Sequence, residues 1–313
     1  MKELGNILFP AGPQAGLIAA ETRYLLAVVT IVFIAVAAVL LLALVRHASG
    51  KRAPASSERR MAAVVAAALV LTTVILSANL IVDMRVAHAV GHVGREGTLT
   101  IRVTGQQWWW QFEYHHESPS KTLTTANEIH IPTGEPVLLE LRSTDVIHSF
   151  WVPQLHGKRD LIPGITNNLW IEAAEPGVYR GQCAEFCGHQ HAHMALLVIA
   201  ESREDFTRWY EKQLEPSVIP QQPLEREGRD VLLGKSCPLC HTVRGTRAGG
   251  RVGPDLTHVA SRETIGAGRL RTSDALDAWV ADPHAFKPGV KMPQNPLTQR
   301  EREALLAYLR SLR

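Results

Sequence analysis

Cys183, Glu185, Cys187, His191 and Met194 fall within the twelve residues from Cys183 to Met194. Two thiols, an imidazole and a thioether on one short loop make a soft ligand set. Such a set suits copper, above all copper that passes through the cuprous state. Further along stands Cys237-Pro238-Leu239-Cys240-His241, the attachment pattern of c-type haem. These are all four of the chain's cysteines, so none remains for a structural disulfide. The cysteine count therefore does not fix the redox compartment. The haem motif does, because haem of this type is attached outside the cytoplasm in bacteria. Two redox centres on one chain, behind a membrane anchor, point to respiratory electron transfer.

The elements that must position these ligands divide the chain sharply. At 313 residues there is room for two small domains and extra segments. Mean hydropathy is near zero, but that average joins an apolar N-terminal quarter to a polar remainder. A net charge of +3 gives no reason to expect nucleic-acid binding. Tyr24 to Val45 is a run of twenty-two residues without a charge, and Met61 to Val82 is another. About 20 apolar residues cross a bilayer as a helix, so transmembrane helices are expected at 24–45 and 61–83. The segment 46–60 between them carries Arg46, Lys51, Arg52, Arg59 and Arg60, which the positive-inside rule makes cytoplasmic. Residues 1–23 and the large C-terminal part then lie outside. A cleaved signal peptide is the other reading of the first run, but that run is longer than a signal core and its positive charges follow it. Thr72, Thr73, Ser77 and Asn79 interrupt the second span and suggest a face packed on another membrane protein.

From Leu99 the apolar period becomes two. Leu99, Ile101 and Val103 alternate with polar residues, as do Val137, Leu139 and Leu141, then Leu169, Ile171 and Ala173. Gly/Pro turns separate them. This pattern predicts an antiparallel β-sandwich over residues 84–212. The copper loop joins two of its strands, and His148, at the end of an alternating stretch, is the candidate for a further ligand. Read alone, His148 is an ordinary surface or core histidine, and Cys183 and Cys187 are buried thiols or a local disulfide. Residues 204–212 read as a short helix, 213–224 as a stiff, polar, Pro-rich linker, and 225–313 as a new domain opening with a helix over 228–235. Thr298 and Glu301 make a capping box for a closing helix with an apolar Leu305, Leu306, Leu309 stripe.

Taken together, residues 105–194 resemble subunit II of haem–copper cytochrome c oxidases, the copper-A protein. Three segments carry the resemblance: Gln107-Trp108-Trp109-Trp110-Gln111-Phe112-Glu113-Tyr114, the run from Asp145 to Pro153, and Cys183-x-Glu185-x-Cys187-Gly188-x-x-His191-x-x-Met194. The two spans in front match that family's layout. The resemblance implies a cupredoxin-like sandwich in which Cys183 and Cys187 bridge two coppers. His148 and His191 would bind one copper each, with Met194 and the Glu185 carbonyl as weaker ligands. His189 and His193, which flank His191, are expected to be exposed. The Glu185 carboxylate resembles the ligand to a magnesium ion at the contact with the catalytic subunit, as suits a hard cation; alone, it reads as a polar loop residue. Trp108 resembles the tryptophan through which electrons reach copper, and Asp145 a docking carboxylate for cytochrome c, where a tethered haem domain is the competing donor. Trp110 reads as packing, and the bland reading of all the tryptophans is an aromatic cluster. Glu58 resembles the glutamate at the mouth of a proton pathway into the catalytic subunit; alone, it is a solvated charge beside Arg59 and Arg60.

The C-terminal domain resembles a small, all-α class I cytochrome c. That implies haem held covalently by Cys237 and Cys240, His241 as proximal ligand, Met292 as distal ligand, and Gly253-Pro254-Asp255-Leu256 over the haem edge. A Met/His pair raises the reduction potential. A zinc site is the other reading of the motif, but zinc ribbons need a second ligand pair and no cysteine is left.

The combined resemblance is to subunit II of caa-type oxidases. It implies electron input from cytochrome c, through the fused haem c and dinuclear copper A, to a catalytic subunit I that reduces oxygen to water with proton translocation. The implied partners are subunit I, other oxidase subunits, the membrane, and cytochrome c or a quinol:cytochrome c reductase as donor. The implied location is the bacterial inner (plasma) membrane, with both outer domains on the periplasmic side. Two other readings stay open: the electron-input subunit of a copper-A nitric oxide reductase, and a stand-alone membrane electron carrier or copper-handling protein. A quinol oxidase subunit lacks the copper ligands retained here.

Overall fold

The computed structural model describes residues 7–50, 58–91, 99–116, 118, 121–268 and 270–313, with only the backbone described for 270–274. Lys51 and Arg52 of the expected cytoplasmic loop lie outside the described residues. The chain forms two compact units, residues 16–93 and residues 1–15 with 94–313.

The first unit is built from two long helices. Helix α1 spans Pro13–Ala48 and α2 spans Glu58–Gly91. Both hold windows apolar enough to cross a membrane, with mean hydropathies of 3.3 and 2.4, and no residue of those windows is buried by the protein itself. Each expected span thus sits inside a longer helix, which continues into residues expected as outer segment, loop and sandwich. Arg46 and His47 lie in the last turn of α1 and Glu58 in the first turn of α2. Both placements complement the helix dipoles, so Glu58 has a local structural role independent of any proton path. The Thr72 and Thr73 hydroxyls donate to the carbonyls of Ala68 and Leu69, each at 2.9 Å. Their polarity is therefore absorbed within α2. The Asn79 amide oxygen has no hydrogen-bond partner among the described residues.

In the second unit, alternation produces two five-stranded sheets. The first has the order β3-β2-β1-β5-β8, from β1 (Thr100–Gln106), β2 (Trp109–Tyr114), β3 (Leu123–Ala126), β5 (Val137–Ser143) and β8 (Asn167–Ile171). The second has the order β4-β10-β9-β6-β7, from β4 (Glu128–Pro132), β6 (His148–Trp151), β7 (Arg159–Leu161), β9 (Gly177–Cys183) and β10 (Ala195–Glu201). Most pairs are antiparallel, as expected, but each sheet also holds one parallel pair, β1 with β5 and β4 with β10. Alternation reports which face is buried and not which neighbour a strand takes, so these pairings leave no mark in the period. The inward residues Ile101, Val103, Trp110, Phe112, Tyr114, Leu139 and Leu141 are all fully buried. Each such apolar side chain contributes about 1.5–3 kcal/mol.

Helix α3 spans Arg203–Leu214, longer at both ends than expected, because Ser202 caps it by accepting from the Asp205 N–H. Helix α4 spans Pro223–Gly234 rather than 228–235, since Pro223 occupies its first turn and Gln222 and Glu225 form a capping box. The linker is thereby shorter than residues 213–224. After α4 come α5 (Cys237–Cys240), a hairpin of β11 (Thr264–Ile265) and β12 (Leu270–Arg271), then α6 (Thr272–Ala281), α7 (Pro283–Phe286) and α8 (Gln299–Ser311). The hairpin and an isolated antiparallel bridge between Thr242 and Gly249 depart from the expected all-α domain. The expected Thr298–Glu301 capping box opens α8. Where α4 crosses α8, a Cβ on Gly228 would lie 1.9 Å from the Ala304 carbonyl oxygen. Gly228→Ala is therefore expected to destabilise this domain by about 3 kcal/mol through overpacking. Amide exchange along α8 measures this, and unchanged protection would contradict the close crossing.

Candidate metal centre

Strand register brings the first two donors together. In β6 and β9, Phe150 pairs with Cys183, and the Ala184 N–H donates to the Ser149 carbonyl at 2.9 Å. His148 lies two residues from Phe150 and so points to the same face as Cys183. The other end of the copper loop is closed by the Cys183 N–H, which donates to the Met194 carbonyl at 2.8 Å. Between these anchors the chain folds back, with the His191 N–H donating to the Gly188 carbonyl at 3.0 Å. Gly188 has φ +108°, and a Cβ there would meet the Gln107 amide nitrogen at 3.1 Å. This turn therefore requires glycine.

All the expected donors converge. Cys183 Sγ is 3.8 Å from Cys187 Sγ, 3.8 Å from His148 Nδ1 and 3.2 Å from the Glu185 carbonyl oxygen. Cys187 Sγ is 3.6 Å from His191 Nδ1 and 3.9 Å from Met194 Sδ. The His148 and two cysteine donor atoms all lie within 4.8 Å of one another. His148, Cys183, Cys187 and Met194 are buried, while His191 is half-buried. The thiols are free, so a local disulfide is excluded. His189 is exposed, as expected, whereas His193 is half-buried and bonds through Nδ1 to Gln190 Oε1 at 2.7 Å.

The electrostatics favour a thiolate at the centre. Cys183 is held low, to about 3, first by its hydrogen bond with Cys187 and then by His148 and backbone groups. The same bond, with burial, pushes Cys187 up, so the pair's remaining proton sits on Cys187. Burial opposes charge on His148, but its hydrogen bonds to Cys183 and Asp145 outweigh that and raise its pKa.

Several residues around the donors had no ligand role in the sequence. Asp145 Oδ1 lies 2.9 Å from His148 Nε2, and its other oxygen accepts from the Gln107 N–H at 2.7 Å. Burial works against the Asp145 charge, but these bonds and the Val146 N–H hold its pKa low. Asp145 therefore orients the imidazole, and it also faces Lys291 Nζ of the C-terminal domain at 3.6 Å. Trp108 Nε1–H and Gln107 Nε2–H both donate to the Cys187 carbonyl at 2.8 Å. Trp110 does pack, edge-on to His148 with centroids 6.1 Å apart, and its indole N–H also donates to the Met194 carbonyl at 3.3 Å. The Glu185 side chain points outward and pairs with Lys158 at 3.2 Å.

In the C-terminal domain α5 presents Cys237 and Cys240, both half-buried. His241 Nδ1 lies 2.7 Å from the Pro254 carbonyl oxygen. A carbonyl only accepts, so Nδ1 carries the proton and Nε2 is left with a free lone pair. Burial lowers the His241 pKa, and the Pro254 bond only partly opposes this. A neutral imidazole of that tautomer fits an iron ligand. Met292 is half-buried in the segment before α8.

A β-sandwich with a buried soft-donor pocket, joined to a helical domain with a Cys-x-x-Cys-His turn, defines a protein built to hold two redox cofactors. The description "cytochrome c oxidase subunit II, periplasmic domain" matches residues 99–201, and "cytochrome c" matches residues 226–313. Cytochrome c oxidase subunit 2 of Alkalihalophilus pseudofirmus is 46% identical over 220 residues, covering 70% of this chain and 62% of that protein. The Bacillus subtilis protein of the same name is 31% identical over 229 residues, covering 70% and 63%. The crystal structure of the periplasmic domain of cytochrome oxidase subunit II of Bradyrhizobium japonicum aligns at 30% identity and TM-score 0.36, over 39% of this chain and 96% of that one. Residues 99–201 belong to the cytochrome c oxidase subunit II family, and residues 226–313 form a cytochrome c domain. The chain spans somewhat over three-fifths of the length of the two curated relatives. The family implies copper A in the sandwich, haem in the C-terminal domain and a membrane anchor, and the donor chemistry fits both cofactors.

Because Asp145 fixes the His148 ring, Asp145→Ala is expected to weaken copper binding about 10–100-fold. Copper titration of the full chain in detergent reads this directly. Unchanged affinity would mean that the imidazole is oriented by something else.

Proposed function

We propose that the chain is the electron-input subunit of a caa-type respiratory terminal oxidase, set in the bacterial plasma membrane with both outer domains on the extracytoplasmic side. The single observation that carries this reading is the convergence of two thiols, two imidazoles and a thioether on one pocket beside Trp108. In this reading Cys183, Cys187, His148, His191, Met194 and the Glu185 carbonyl would hold the copper pair. Cys237, Cys240, His241 and Met292 would hold the haem. When bound, the two cofactors would supply one-electron chemistry, and the chain would link cytochrome c or a quinol:cytochrome c reductase to subunit I.

The protein's own groups do the positioning. The β6–β9 register keeps His148 and Cys183 in place whatever charge the site carries, so little rearrangement accompanies a change of state. Trp108, bonded to the Cys187 carbonyl, provides an aromatic contact on the input side. The half-buried His191, with the exposed Phe186 edge-on at 5.8 Å, marks the face toward subunit I. The outward Glu185 carboxylate is the group that would meet a magnesium ion at that contact, in exchange for Lys158. Asn79, whose amide oxygen has no partner among the described residues, suits a hydrogen bond to a partner's membrane helix. In this reading Glu58 is the glutamate at the mouth of a proton pathway into subunit I. Oxygen reduction and proton translocation belong to that subunit.

Met194→Leu removes a soft donor while keeping volume. It is expected to preserve the fold but to alter the dicopper EPR signal and slow electron delivery. An unchanged EPR signal together with unchanged oxidase turnover would refute the proposed ligand set.

A further inference from the structure

Lys287 is the only lysine among the buried residues, 2% exposed. It follows α7 and opens the run Lys287-Pro288-Gly289-Val290-Lys291-Met292. Its Nζ donates across the domain boundary to the Trp108 carbonyl oxygen at 2.5 Å, and to the Gly266 carbonyl of its own domain at 3.4 Å. The same run makes three further contacts with the copper domain. The Gln190 side-chain amide donates to the Pro288 carbonyl at 2.6 Å. The Cβ position of Gly289 is 3.8 Å from the six-membered ring of Trp108. Lys291 faces Asp145.

A reciprocal buried charge stands on the other side. Glu128 of β4, 3% exposed, accepts from the Glu263 N–H at 2.9 Å, the Thr264 N–H at 2.6 Å and the Thr264 hydroxyl at 2.8 Å. Between the two charges, the Ala195 N–H, next to Met194, donates to the Ala267 carbonyl at 3.0 Å. Each domain thus inserts one charged side chain into the other's backbone. A desolvated charge is tolerated only where it is well hydrogen-bonded, so the two charges specify one docked arrangement.

We propose that Lys287 is a positioning residue for electron input: it locks the segment that leads to Met292 onto the carbonyl of Trp108, the residue whose indole N–H bonds the Cys187 carbonyl, and so holds a permanent positive charge next to the copper pocket. A fixed cation there opposes removal of an electron from the site and so raises its reduction potential. This inference rests on the copper-A reading above.

The test uses the full chain in detergent, with Lys287→Met, which keeps length and loses charge. Amide exchange at Ala195 and Thr264 reports docking directly, with or without metal, and redox titration of the copper-loaded protein reports the charge. Lys287→Met is expected to exchange these two amides at least tenfold faster and to lower the copper midpoint potential. Glu128→Gln leaves Lys287 intact but weakens the opposite lock, and should speed the same amides and lower the potential by withdrawing the lysine. Unchanged amide exchange in Lys287→Met overturns the lock, and an unchanged potential in both variants overturns the charge effect. If the wild-type chain gives no dicopper signal, the copper reading fails, while amide exchange still decides the lock.

Discussion

The pairing of β6 with β9 is the constraint on which the rest of the site depends. It sets His148 and Cys183 on one inner face, and the Cys183–Met194 backbone bond then closes the loop so that Cys187, His191 and Met194 must return to the same place. Strand register thus brings the donor residues to one pocket. That matters for single-electron chemistry, where any movement of ligands between charge states adds to the barrier. A stiff sheet with fully buried Trp110 and Phe150 beneath the donors keeps such movement small.

Around this frame, groups that touch no donor sulfur direct the ones that do. Asp145 fixes one imidazole, while Gln107 and Trp108 share the Cys187 carbonyl. The site is therefore continuous with the first β-hairpin and with the face on which the haem domain sits. Asp145 links these two roles, because the carboxylate that orients His148 also faces Lys291. Asp145, expected as a docking carboxylate for cytochrome c, faces a lysine of the fused domain.

The sequence disclosed the donor residues far better than their surroundings. Cys183 to Met194 is a single loop, so residue types and spacing show the donor set without knowledge of the fold. His148 required only the inference that an alternating strand ends beside that loop. Helix starts were readable where side chains cap them, as at Thr298; the same chemistry at Gln222 and Glu225 was obscured by the prolines of the linker. By contrast, Lys287 meets Trp108 across 179 positions and Glu128 meets Thr264 across 136. Contacts between the surfaces of two domains follow no period and sit in no motif, so single-residue patterns cannot announce them. The parallel strand pairs were hidden for a related reason, since alternation is the same in either direction.

The connection between the two outer domains is short and tied down. Arg244 donates to the carbonyls of Leu214 and Gln213 at the end of α3, His258 bonds the Glu215 carbonyl, and Ser217 is held by the Arg244 carbonyl. A tether with so little slack confines any separated haem domain to a very small volume around its seat. Its effective concentration there is correspondingly high. Reassociation then becomes a local event that needs no diffusional search.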